Sequence, residues 1–267
     1  MMKLLKRIYL GLILLFLYAP IAVLIVFSFD ESKSRAAWSG FSLKWYVKLF
    51  ENQQIMSALY NTLLIAVISA VVATIIGTAA AFGIHAMKGG ARRIVMGITN
   101  LPVLNPDIVT GISLLLLYTV VISGLRALGF QGAGPGFVTL LLSHISFNIP
   151  YVILSVLPKL RQLDKHVFEA AQDLGAKPFE AFMKVVLPEV MPGIITGAIF
   201  AFTLSLDDFV ISFFTTGPGV NNLSILIFSE ARRGINPQMN ALSTIIFAVV
   251  MLLLFLINRR DADSLAN

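Results

Sequence analysis

Four stretches of this chain, residues 8–29, 57–84, 127–158 and 234–258, run for 22, 28, 32 and 25 residues without an Asp, Glu, Lys or Arg. A helix that crosses a hydrocarbon core of about 30 Å needs about 20 apolar residues. Two more apolar stretches are interrupted only by acids: 94–123 contains Asp107, and 190–229 contains Asp207 and Asp208. The stretch 127–158 covers a Gly-rich loop at 132–136 as well as a span. This predicts six spans near 8–29, 59–84, 94–123, 137–158, 190–215 and 239–258, an all-α membrane protein whose 267 residues form one transmembrane domain. Only 13% of the residues are charged, against about 25% in soluble domains, and mean hydropathy is +0.86. A soluble globular enzyme is excluded. The apolar run at 8–29 exceeds the 7–15 residues of a signal-peptide core and no A-x-A site follows, so it reads as a retained first helix. Cysteine is absent, and His85, His144 and His166 are scattered, so neither a thiolate nucleophile nor a metal site is expected.

An even number of spans puts both termini on one side. Lys3, Lys6, Arg7, Lys88, Arg92, Arg93, Lys159, Arg161, Lys165, Lys177, Lys184, Arg259 and Arg260 fall on that side. Lys33, Arg35, Lys44, Lys48, Arg126, Arg232 and Arg233 fall on the other. The excess of basic residues marks the cytoplasmic face, which places both termini in the cytoplasm. The first outer loop, 30–56, carries Trp38, Trp45 and Tyr46, a composition suited to an interfacial helix. Residues 261–267 read as a short disordered tail.

The longest cytoplasmic segment, 159–189, contains Glu169-Ala170-Ala171, then Gly175, then Val185, Leu187 and Pro188. Gly175 suits a left-handed cap at the end of one short helix. Pro178 suits the first turn of a second, reaching about Val186. Local physics alone fits an ordinary amphipathic linker equally well. The spacing, however, resembles the EAA loop of ABC-importer permeases, with Val185 where isoleucine is usual. The rest of the chain resembles the spermidine/putrescine permease subfamily and its PotC-type subunits. That likeness rests on Asn105-Pro106-Asp107-Ile108-Val109, on Phe202-Thr203-Leu204-Ser205-Leu206-Asp207-Asp208, and on Thr216-Gly217-Pro218.

The resemblance implies a type I ABC-importer permease (MetI-like) fold in the cell inner membrane. Glu169, Ala170, Ala171 and Gly175 would form the coupling helix that docks on an ATPase, with Leu187 and Pro188 closing the loop. The implied partners are a second permease in a heterodimer, two ATPase subunits and an extracytoplasmic polyamine-binding protein, with no nucleic acid. No G-x-x-x-x-G-K-[ST] phosphate loop occurs in the chain. No cofactor is therefore expected here, and ATP with Mg would be bound by the partner ATPase.

A carboxylate at the bilayer centre costs about 2.5–3.5 kcal/mol on insertion scales. The predicted spans accept three, Asp107, Asp207 and Asp208, and no Lys or Arg. An oxyanion pathway would offer basic or N–H donors, whereas acids suit a cation such as a polyamine. Asn105 and Pro106 should break the third span, so Asp107 serves as an N-cap for 108–121, as a substrate contact, or as both. On a continuous helix Asp207 and Asp208 point about 100° apart, so at most one faces the pathway squarely. The other has Ser205, Ser212 or a partner subunit within its reach.

His144, Asn148 and Pro150 fit structural interhelical bonds, and Gly193 and Gly197 form a G-x-x-x-G suited to close helix packing. Tyr118, Phe213 and Phe214 suit packing or lipid contact better than a pore lining. Glu230, Arg232 and Arg233 in the last outer loop suit either solvent or a binding protein. The leading reading is a polyamine-importer permease, which is a transport subunit and no enzyme. A permease for another organic cation stands next. A stand-alone cation channel or secondary transporter leaves the EAA loop unexplained. An intramembrane aspartyl protease would need Asp107 and Asp207 to pair, and neither lies in a Tyr-Asp or Gly-x-Gly-Asp context.

Overall fold

In the computed structural model, residues 2–33, 38–234 and 236–265 are described, with side chains described except at 2–4, 165 and 252–265. Among these residues the chain is helical apart from its loops and one isolated β-bridge between Asp30 and Phe41. In hydrocarbon every backbone N–H and C=O must be satisfied within the chain, and a helix does this locally. The uncharged stretches accordingly become α1 (Met2–Ser28), α3 (Gln53–Ala86), α6 (Phe137–Gln162) and α12 (Pro237–Leu265). Five helical segments are long and apolar enough to span a membrane, and α12 supplies a shorter apolar stretch, Pro237–Met251. Arg35, one of the counted outer basic residues, lies outside the described residues. So do Ala266 and Asn267, whereas 261–265 continue α12 instead of forming the expected tail.

The chain divides into two compact units, Met1–Met56 with Leu226–Asn267, and Ser57–Ile225. In the first, α1 and α12 pack along an apolar groove that includes Ile21, Leu24, Ile25 and Phe247. The segment expected as an interfacial helix contains α2 (Lys44–Glu51), whose Trp45 is 2% exposed and packs inside the protein. Its Nε1 donates to the Asp30 carbonyl at 2.7 Å, and Tyr46 Oη shares a hydrogen bond with Ser28 Oγ at 2.7 Å. These bonds hold the loop against the end of α1. Glu230, Arg232 and Arg233 lie on a helix, α11 (Leu223–Arg233), where a loop was expected.

In the second unit α6 is the axis. Val152, Val156, Leu157 and Leu160 form one core with Ala73 and Ala81 of α3 and with Val190 and Ala201 of α9 (Leu187–Asp207). Gly193 and Gly197 permit this approach. A Cβ at Gly197 would lie 3.2 Å from Val152 Cα, and one at Gly193 would lie 3.0 Å from the Ser155 carbonyl. Two predicted spans are broken. The third becomes α4 (Gly89–Leu104) and α5 (Asp107–Ala127), separated at Asn105 and Pro106 as the sequence indicates. The fifth does not run continuously over 190–215: α9 stops at Asp207, and α10 (Val210–Thr215) restarts the chain.

Segment 159–189 holds α7 (Lys165–Asp173) and α8 (Pro178–Ala181). The expected second short helix does not end near Val186. It passes through a π-helical turn, Phe182–Val186, directly into α9, giving one rod of 30 residues from Pro178 to Asp207. Pro188 explains the turn, because it has no N–H for an i→i−4 bond and its ring crowds the preceding turn. The turn widens accordingly, and the Leu187 N–H donates to the Phe182 carbonyl.

Candidate functional site

The two breaks lie side by side. A Cβ on Gly111, one turn into α5, would lie 2.8 Å from Phe214 Cδ2 and 3.5 Å from the Val210 carbonyl at the start of α10. Further along, Tyr118 and Thr119 share a groove with Phe214 and Thr215, so α5 and α10 run in the same direction. The packing sets the break before Asp107 beside the break that holds Asp207 and Asp208, a hundred positions on in the sequence.

Each carboxylate meets a different environment. Asp107 is the first residue of α5 and is exposed, but it is not the N-cap: Pro106 holds that position, and no side chain caps the helix. Asp208 lies in the break itself, in extended backbone. Its Oδ2 accepts from the Ser212 N–H at 2.8 Å and its Oδ1 from the Ile211 N–H at 3.2 Å, so it closes the start of α10. Its side chain is 7% exposed and lies 3.7 Å from His144 Nε2, which shares a 3.0 Å hydrogen bond with Ser212 Oγ. Both contacts use the same ring nitrogen, so the Asp–His–Ser cluster is not the relay of a hydrolase, which requires opposite nitrogens. Asp207 ends α9 and is exposed.

A polar stripe along α6 fixes this junction. Thr139 Oγ1 donates to the Thr215 carbonyl at 2.8 Å, and Ser143 bonds Tyr118 Oη at 3.0 Å. One turn on, Asn148 Nδ2 donates to Ser205 Oγ at 2.7 Å, and Ser205 shares a 2.8 Å bond with Ser69 of α3. His144 and Asn148 thus make the interhelical bonds expected of them. Ser69 was missed: a lone serine in an apolar helix carries no signal when its partner lies 136 positions away. Phe214 packs on Gly111, Tyr118 joins the stripe, and Phe213 is 52% exposed.

In segment 159–189, the Asp164 carboxylate accepts from the His166 N–H at 3.0 Å and caps α7. Gly175 has φ +92, the left-handed cap expected of it, and the Ala176 N–H donates to the Ala171 carbonyl at 3.1 Å. Glu169 and Ala170 are exposed and Ala171 is half-buried. Glu169 Oε2 lies 3.3 Å from His166 Nδ1. Leu187 and Pro188 occupy the first turn of α9, not the loop. Leu174 is 91% and Phe179 75% exposed, so two large apolar side chains project from the bend around Gly175.

Residues 73–260 match the profile of the family described as "Binding-protein-dependent transport system inner membrane component". The chain is 42% identical over 240 residues to the putrescine transport system permease protein PotI of Escherichia coli (strain K12), covering 88% of this chain and 83% of that one. It is 38% identical over 251 residues to the spermidine/putrescine transport system permease protein PotC of the same strain, covering 94% and 91%. In structure it is similar to a chain of a bacterial ABC transporter involved in the import of the acidic polysaccharide alginate. That match has TM-score 0.70 and 20% identity, and covers 99% of this chain and 96% of the other.

Proposed function

The chain belongs to the family of binding-protein-dependent transport system inner membrane components, and we propose that it forms half of the pathway by which an ATP-driven importer carries putrescine or spermidine. Membership makes it an inner-membrane transport component that works with another permease, ATPase subunits and an extracytoplasmic binding protein. The observation that carries the substrate is the set of acids Asp107, Asp207 and Asp208 at two neighbouring helix breaks, with no Lys or Arg anywhere in 94–123 or 190–215. A flexible di- or trication would exchange its hydration for charge-assisted bonds at such a level. The names of the similar permeases agree with that chemistry. The fold does not choose the sign of the cargo, since the similar alginate importer handles an acidic polymer. The choice falls to side chains.

In this reading the 267 residues act as one permease domain paired with a second, non-identical permease, with both termini in the cytoplasm. Two ATPase subunits, which bind ATP and Mg, dock on the coupling loop of Glu169, Ala170, Ala171 and Gly175, with Leu187 and Pro188 behind it. The exposed Leu174 and Phe179 support such a contact. A polyamine-binding protein delivers substrate to the outer face.

The test is uptake of labelled putrescine and spermidine in cells that express this chain with its genomic-neighbour transporter genes, with co-purification of the ATPase. Glu169→Lys should abolish uptake and ATPase recovery while the permease stays in the membrane. A wild type that retains the ATPase but moves neither polyamine would keep the importer and discard the substrate.

A further inference from the structure

The three acids stand at electrically different ends of helices. Asp107 begins α5, and Asp208 accepts the Ile211 and Ser212 N–H groups at the start of α10. A helix N-terminus presents unpaired N–H groups and about half a positive elementary charge, so both carboxylates face groups that offset their field. Asp208 is also enclosed, with His144 and Ser212 against it.

Asp207 is the opposite case. It is the last residue of the 21-residue helix α9, it is exposed, and no side chain among those described donates to its carboxylate. The last turn of a helix leaves up to four carbonyls without intrahelical partners and carries the negative end of the dipole. Here the fields of carboxylate and helix add, and the backbone supplies acceptors beside the charge. A primary ammonium has three N–H donors, enough for a carboxylate and carbonyls together.

The geometry points to Asp207, with the terminal carbonyls of α9, as the contact for a primary or secondary alkylammonium. Asp208 and His144 are positioning residues that fix the start of α10 at the break after α9 and do not touch substrate. This inference rests on the polyamine reading and narrows it. Because carbonyl acceptors need N–H donors, the site prefers a protonated amine to a quaternary one of equal charge.

The assembled transporter decides, with initial rates of spermidine uptake measured in cells alongside membrane abundance. Asp207→Asn should raise KM more than tenfold with abundance within twofold of wild type, and Asp207→Glu should recover part of the loss. Asp208→Ala should lower abundance while the KM of what remains stays within threefold, and Asp208→Asn, which can still cap, should restore abundance. If Asp207→Asn does not assemble, competition on wild type decides: fully N-methylated spermidine should inhibit at least tenfold more weakly than spermidine. An unchanged KM in Asp207→Asn, an equal rise in Asp208→Asn, or equal inhibition by the quaternary analogue overturns the inference and leaves the polyamine reading standing. A wild type that transports no polyamine overturns both.

Discussion

Asp207 and Asp208 are identical side chains one position apart, yet one closes a helix and the other ends one. Nothing in the local sequence separates them, because capping depends on where α9 stops, and neither Pro nor Gly marks that point. Two residues before the stop, Ser205 bonds Asn148 and Ser69 and so joins three helices. Interhelical bonds of this kind contribute about 0.6 kcal/mol each on average. Ser69→Ala should therefore lower the melting temperature of the detergent-solubilised transporter slightly, and Asn148→Leu more, because Ser205 then loses its donor in a packed site. Asp30 makes a pH prediction. The Ser39 N–H and hydroxyl bond its carboxylate at 2.9 and 2.8 Å and hold its pKa below the usual aspartate value, against the effect of burial. A carboxyl whose folded pKa is depressed adds stability that is complete above its ordinary pKa and is lost as pH falls through the depressed one. Asp30→Asn should thus melt earlier than wild type at pH 7, and the gap between the two should close only as pH falls below the ordinary aspartate pKa of about 4.

At the scale of elements, the lengths of the charge-free runs were enough to place the long helices, and Asn105-Pro106 announced the break between α4 and α5. The merger of α8 with α9 was not legible: a proline two residues past the expected helix end at Val186 reads as a boundary, and only the structure shows that a π turn absorbs it. The G-x-x-x-G was legible as a close contact but not its partner, α6. A side chain at Gly197 has backbone against it, so Gly197→Leu should cost about 1–3 kcal/mol through overpacking. Thermal denaturation of the purified complex, beside the conservative Gly197→Ala, measures this. Gly175 is held by its positive φ. Gly175→Ala should cost about 1 kcal/mol by strain in the left-handed region, visible as weaker ATPase co-purification with unchanged permease abundance.

For the whole molecule, the asymmetry of Lys and Arg predicts a topology that labelling can read. The chain has no cysteine, so single substitutions need no background removed. Gln131→Cys in the Gly-rich loop should react with an impermeant maleimide in spheroplasts, and Lys88→Cys should react only in inside-out vesicles. Both side chains are exposed, so a reversed pattern would reverse the orientation. The unbroken rod from Pro178 to Asp207 has a mechanical meaning. It approaches α6 closely at Gly193 and Gly197, whose midpoint lies about 26 Å from Pro178 and about 18 Å from Asp207 at 1.5 Å per residue. A stiff beam pivoting there works as a lever with a ratio of about 0.7. A displacement of about 3 Å at the Pro178 end would carry the acid about 2 Å the opposite way, enough to make or break a hydrogen bond.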